Sequence, residues 1–304
     1  MWAAVNHHMS RAMIGGRLVV PRANAAPPFW RFNWIERQLY FSAFHISPTN
    51  VPHYVEALNK FKPDYLVGYA FSHYSLARMI LNQNLKVHSP KAVLTSSEKL
   101  TPDMEEVIRK VYQCPIFDAY SGVEACCLVS ECEHHRFHTS PDVGIVEIIG
   151  KDGKSVSVGM PGEIVATGLL NFVQPLIRYR TGDYAAFSEE RCPCGRQMPV
   201  IKELIGRLED ILTTKDGREI VIVNNIFKGI DHIRQGQIIQ EDLERICLRL
   251  VVDSEFGEAT KKVIEKRFEE RLGKIKLSYE IVKEIPKTEN GKFRSVISKI
   301  PRFV

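Results

Sequence analysis

No apolar run in the 304-residue chain approaches the roughly 18 residues that a bilayer-spanning helix needs. His7, His8, Arg11 and Arg17 interrupt the amino terminus before a signal-peptide core can form, so the expectation is a cytoplasmic protein without a membrane partner. Basic blocks are scarce too. Lys and Arg total 41 against 36 Asp and Glu, a net +5, but the cations are scattered. Their densest stretch, Lys261 to Lys276, interleaves Glu265, Glu269 and Glu270, which describes a solvated helix face and not a nucleic-acid footprint. Cysteine is present seven times, an odd number with several close together, which suits reduced thiols or a metal better than a disulfide framework. Repeats and low-complexity segments are absent. What remains is an ordinary globular composition, 44% hydrophobic and 25% charged, long enough for two units at about 100–200 residues each.

Met1 to Pro28 shows no sustained period, and the aromatic stretch from Phe29 to Phe44, with Trp30 to Tyr40 at its centre, reads as packing surface or a subunit interface, which leaves a homodimer open. From Asn50 the pattern turns regular. Val51, Tyr54, Val55, Leu58 and Phe61 recur at helical spacing before Pro63, and the strand Tyr65–Gly68 follows. A helix over Tyr74–Leu85 leads to the strand Ala92–Thr95. Thr101 then caps a helix with Pro102 at its first position, Asp103 at the positive end of the dipole, and Met104, Val107, Ile108 and Val111 on one face. Strands alternating with helices predict an α/β fold with a mostly parallel sheet. From Val143 short alternating strands, Gly144–Ile149, Glu163–Thr167 and Leu176–Tyr179, predict an antiparallel β subdomain. Near Ile211 a small α+β domain begins, with the strand Arg249–Val252, the helix Glu258–Leu272 stopped by Gly273, and a strand through Leu277, Tyr279 and Ile281. The expected domains are 1–208, with the α/β part to about 142 and the β-rich part over about 143–208, and a mobile C-terminal domain over 209–304.

Chemistry concentrates in four segments. Asp118-Ala119-Tyr120-Ser121-Gly122-Val123-Glu124 leaves the carboxyl end of a parallel strand, where helix N-termini and free main-chain N–H groups gather ligands. The others are Tyr179-Arg180-Thr181-Gly182-Asp183, Gly206-Arg207-Leu208-Glu209-Asp210, and the loop from Pro286 to Arg294 that carries Lys292 after Asn-Gly. Each alone is explained by an ordinary turn. A further constellation is Cys132, His134, His135, His138, Cys192 and Cys194. The Cys192-Pro193-Cys194-Gly195 turn can present two sulfurs to one ion and Cys132 with His138 can complete a tetrahedral zinc site, the alternative being reduced surface thiols. Cys114, Cys126, Cys127 and Cys247 read as small apolar residues.

Taken in order and context, these segments resemble those of the adenylate-forming enzymes, the superfamily of acyl-coenzyme A ligases, and within it the phenylacetate-coenzyme A ligase family, from about Asn50 to Val304. The resemblance implies that a carboxylic acid, with aromatic acids among the candidates, attacks the α-phosphate of ATP to give an acyl adenylate, which coenzyme A then attacks. Such chemistry asks for positioning and charge stabilisation rather than a protein nucleophile. By the same resemblance, Asp183 holds the ribose hydroxyls, Tyr120 packs on adenine, Ser97, Glu98 and Asp118 line the adenine pocket, and Glu124 holds magnesium. Arg207 contacts ribose or phosphate, Lys292 brings charge to the α-phosphate, and Glu209 is the hinge about which the small domain turns. Relatives carry a similar Cys and His pattern, which implies zinc on Cys132, His138, Cys192 and Cys194.

Two departures stand out. Ser121 and Val123 occupy places where the family has Gly and a hydroxyl residue, removing a phosphate contact. The family's Ser/Thr/Gly-rich loop for the β- and γ-phosphates is not among these 304 residues, since Thr95-Ser96-Ser97-Glu98 matches a later, adenine-side segment. A fragment or a natural truncation is therefore expected, with weak ATP binding and little adenylation by these residues alone. Two rival readings are a relative that transfers AMP without coenzyme A and an inactive zinc-binding remnant or interaction protein.

Overall fold

The structure, a computed structural model, describes residues 3–17, 19–21, 26–207, 211–213, 219–221, 226–227, 229–286 and 293–300. It divides into two compact units, one built mainly on Met1–Thr181 and Ala185–Leu204, the other on Gly182–Tyr184, Ile205–Thr288 and Phe293–Val304.

In chain order the strands are β1 (Arg11–Gly15), β2 (Trp30–Asn33), β3 (Gln38–Ser42), β4 (Tyr65–Tyr69), β5 (Ala92–Ser96), β6 (Ile116–Ser121), β7 (Leu128–Glu131), β8 (Phe137–Thr139), β9 (Gly144–Ile149), β10 (Gly162–Gly168), β11 (Tyr179–Phe187) and β12 (Val200–Arg207). The helices α1 (Val51–Phe61), α2 (Ala70–Asn82) and α3 (Pro102–Tyr112) lie between them. Together these strands make one 12-stranded sheet, ordered β2-β3-β1-β4-β5-β6-β7-β8-β12-β11-β10-β9. From β3 to β6 the neighbours are parallel. At β6 the direction changes, because the short β6–β7 and β7–β8 connections can only return antiparallel. The β-rich part from Gly144 onward continues this same sheet.

Local chemistry accounts for the helices. Thr101 Oγ1 accepts the Met104 N–H at 3.3 Å, Pro102 opens α3, Asp103 and Glu105 sit in its first turn and Arg109 and Lys110 in its last. Met104, Ile108 and Tyr112 form its buried face. Helix α1 buries Val51, Tyr54, Val55 and Leu58 and stops where Lys62 turns left-handed at φ 49° ahead of Pro63. Helix α2 begins at Ala70, four residues before the expected Tyr74, and β11 begins only at Tyr179, where the expected Leu176–Tyr179 strand ends.

The opening region that showed no period holds β1, β2 and β3. Phe29 and Phe41 are fully buried and stack on Tyr54, with ring centroids 6.1 and 5.1 Å away. Phe29 and the β3 residues Leu39 and Phe41 are therefore core, while the segment from Arg31 to Arg37, with Phe32, Trp34 and Ile35, is exposed to solvent. Between β1 and β4 the backbones pass so closely that a Cβ on Gly68, at φ +146°, would lie 1.9 Å from the Ile14 carbonyl oxygen.

In the second unit β13 (Ile211–Thr213) and β14 (Glu219–Val221) form a hairpin. A sheet ordered β17-β16-β15-β18 is made of β15 (Ile233–Gln240), β16 (Arg245–Val252), β17 (Lys276–Ile281) and β18 (Val296–Ser298). Helix α4 (Glu258–Leu272) contributes Ile264, Phe268 and Leu272, spaced four apart, to a core with Ile238, Ile246, Leu248, Leu250 and Val296. This is the α+β domain the pattern predicted. No helix among the described residues is long and apolar enough to cross a membrane.

Candidate active site

The carboxyl ends of β5 and β6 stand side by side, with Thr95 opposite Asp118 and Ser96 opposite Ala119. Thr95 Oγ1 donates to Asp118 Oδ1 at 2.7 Å, and the Asp118 N–H donates to Glu131 Oε2 at 2.8 Å. Burial pushes the Asp118 carboxyl up to about 7; the Thr95 bond works against that rise and the Glu131 charge adds to it. Ser97, exposed and left-handed at φ 68°, turns the chain away from β5. Glu98 then points back across the edge, its Oε2 accepting the Phe71 N–H at 2.8 Å. Because Tyr69 offers no side-chain cap, this carboxylate completes the first turn of α2 and meets the positive end of its dipole.

Past β6 the chain turns at Gly122–Ala125, closed by the Ala125 N–H on the Gly122 carbonyl at 3.1 Å. Glu124 is exposed on that turn and accepts the Tyr179 hydroxyl at 3.2 Å. Tyr120 and Tyr179 both pack against the buried Cys126, Cys127 and Ala166. Beyond Tyr179, Arg180 Nε donates to Glu163 at 2.8 Å and Thr181 to the Ile164 carbonyl at 3.0 Å, which pins β11 where it carries Asp183. Gly182, at φ +75°, supplies the left-handed residue before it. Thus Ser97, Glu98, Asp118 and Tyr120 gather at neighbouring strand ends, while Tyr179 ties Glu124 to the strand of Asp183. Arg207 closes β12, and Glu209 and Lys292 lie outside the described residues.

A separate centre is closed instead of open. One ligand atom from each of Cys132, His138, Cys192 and Cys194 lies within 4.8 Å of the others. The Cys132 and Cys192 sulfurs are 3.5 Å apart, and Cys194 Sγ is 3.5 Å from His138 Nε2. Burial lowers His138, favouring the neutral ring that a metal requires, and burial raises Cys192. Burial also raises Cys194, but hydrogen bonds from the Arg196 main chain and side chain and from the neighbouring thiols carry it below the ordinary thiol value. The His134 N–H donates to Cys132 Sγ at 3.4 Å. Three sulfurs and one imidazole at this spacing are a donor set that fits a tetrahedral ion of the zinc kind. Sequence reasoning gave no role to Tyr179 or Glu131. Tyr179 at least opens the Tyr-Arg-Thr-Gly-Asp motif, whereas Glu131 is marked only by standing before Cys132 in the Glu-Cys pattern.

The fold is shared with solved acyl-CoA ligases. 2-Hydroxyisobutyryl-CoA ligase, solved in its postadenylation state in complex with R3-HIB-AMP, superposes with a TM-score of 0.72 over 98% of this chain and 67% of its own, at 19% identity. In sequence the chain is similar to protein CapK. The CapK C-terminal domain family matches residues 212–299, and protein CapK of Staphylococcus aureus is 30% identical over 302 residues, 96% of this chain and 65% of CapK. Phenylacetate-coenzyme A ligase of Thermus thermophilus is 34% identical over 86 residues, 27% of this chain and 19% of that enzyme. The chain thus spans 65% of the length of its CapK relative.

Proposed function

We propose that the chain provides the nucleotide-binding and C-terminal portions of an AMP-forming acid–thiol ligase of the phenylacetate-coenzyme A ligase type, acting in the cytoplasm. The observation that supports this most is the joint one: the ligase fold over 98% of the chain, with Asp118 and Tyr120 at its strand ends and Glu124 held by the Tyr179 hydroxyl. In this reading the Asp183 carboxylate accepts the ribose hydroxyls, Tyr120 covers the adenine, and Asp118 with Ser97 forms the adenine-side wall. Glu98 acts from behind that wall by fixing α2. The exposed Glu124 carboxylate offers hard oxygens to the magnesium that accompanies ATP. Arg207 contacts the ribose or phosphate, Lys292 steadies the charge that builds on the α-phosphate, and Glu209 lets the domain over 209–304 turn between adenylation and attack by coenzyme A. Zinc on Cys132, His138, Cys192 and Cys194 is structural and supplies no chemistry to the reaction.

Calorimetric titration of AMP into the chain and into Asp183→Ala tests the nucleotide reading. Two charge-assisted hydrogen bonds at about 1.5 kcal/mol each make the expected loss about 100-fold. Equal affinities would remove Asp183 from the site. Exchange of labelled pyrophosphate into ATP, with product analysis in the presence and absence of coenzyme A, tests the reaction. Little exchange is expected from these 304 residues alone, and an adenylated product indifferent to coenzyme A would favour AMP transfer over ligation.

A further inference from the structure

Between the nucleotide edge and the thiol–imidazole cluster lies a bridge that neither reading uses. In the β6–β7 register Ala119 faces Ser130, so the next rung would set Asp118 against Glu131. There the main-chain ladder stops, and the Asp118 N–H donates to the Glu131 side chain at 2.8 Å instead. The same carboxylate faces His135 Nδ1 at 3.6 Å. The His135 ring lies on Phe117, with centroids 5.3 Å apart and planes 13° from parallel. Cys132 sits inside this arrangement: its N–H donates to the Arg136 carbonyl and its carbonyl accepts the His135 N–H, both at 2.9 Å. A turn whose first residue is a prospective metal ligand therefore grips two successive residues of the strand that carries Tyr120.

We propose that Glu131 is a positioning residue through which occupancy of the Cys132, His138, Cys192 and Cys194 cluster sets the main chain at Asp118, and with it the adenine-side wall. A main-chain rung can be withdrawn only by unpairing the strand, whereas a carboxylate can swing off with its turn. A bound ion holds Cys132 and His138 at both ends of the β7–β8 connection, and the turn between them keeps Glu131 and His135 in place. Without the ion the turn relaxes, and the Asp118 N–H loses its acceptor. The link to the nucleotide rests on the proposed ligase function; the link from the cluster to the Asp118 amide does not.

Hydrogen–deuterium exchange on the full chain, loaded with Zn2+ or stripped by a chelator, tests this in the wild type, Glu131→Gln and Glu131→Ala, alongside metal content and AMP affinity. Stripping the wild type is expected to speed exchange of the Asp118 amide about tenfold. Zn2+-loaded Glu131→Ala keeps its metal yet exchanges as fast as the stripped wild type and binds AMP more weakly, while Glu131→Gln, which retains an acceptor oxygen, behaves as the wild type. A chain that takes up no Zn2+, an Asp118 amide indifferent to stripping, or slow exchange in Zn2+-loaded Glu131→Ala would each overturn the proposal. Should stripping unfold the chain, the loaded variant decides alone. Absence of AMP binding in every form sinks the nucleotide reading and leaves the coupling to be decided by exchange.

Discussion

The strand-end edge and the cysteine cluster are joined by one short hairpin, β7–β8, yet they are built on opposite plans. Cys132 and His138 are fully buried and Cys192 nearly so, with their donor atoms already converged. At the edge, Ser97, Gly122, Val123 and Glu124 are exposed, while Thr95 bonds the Asp118 carboxyl, Tyr179 bonds Glu124 and Glu98 caps α2. The contrast is the one that a resident ion and an exchanging ligand would each require. A resident ion is enclosed by its ligands, whereas a substrate site must keep an open face and take its order from residues underneath.

The sharpest way to break this comparison is to open the closed centre. Cys192→Ala should abolish zinc binding and lower folding stability by about 3 kcal/mol or more, read as metal content and denaturant midpoint. Unchanged values of both would make the cluster a set of packed thiols.

Next in size is the pH response of the edge. Folded, Asp118 keeps its proton up to about 7, against an ordinary value of 3.8, so between those values the folded state binds more protons than the unfolded. Stability contributed by this residue therefore falls as pH rises through that window. Asp118→Asn should flatten that part of a midpoint-versus-pH curve, and a curve superposable on the wild type's would show the carboxyl to be solvated.

Glu98→Ala should cost about 1 kcal/mol of stability by uncapping α2, and in the comparison it marks Glu98 as support for the edge. Smallest is Tyr179→Phe, which removes a single hydrogen bond from an exposed carboxylate. The magnesium concentration for half-maximal nucleotide binding should rise about threefold with stability nearly unchanged. A large stability loss would place Tyr179 in the core instead of behind Glu124.

Where the chain carries its own local signals, its structure was readable. Helix α3 is announced by Thr101, Pro102 and Asp103, and α4 by Ile264, Phe268, Leu272 and the Gly273 stop, because caps and periodicity act over a single turn or two. The gathering of Cys132, His138, Cys192 and Cys194 at one place was readable too, since the Cys-x-Cys turn brings two sulfurs together. The β2–β3 region was not. Phe29 and Phe41 gain their burial from Tyr54, on a helix that comes later in the chain, so no nearby period records it. Glu98 and Glu131 were opaque for a related reason. Glu98 accepts a helix N–H 27 positions upstream, and Glu131, given no role from the sequence, stands in for a carbonyl in a ladder. A carboxylate's partner can be any N–H in the molecule, and only the fold chooses which.

The near-collision of backbones at Gly68 has a practical corollary. If every position were randomised and survivors sequenced, residue 68 should return a single letter, because even one methyl group there would be driven into the Ile14 carbonyl oxygen. Such a position serves as an internal gauge: a selection that tolerates alanine at 68 is not selecting for folded protein, and the tolerances it reports at other residues can be discarded.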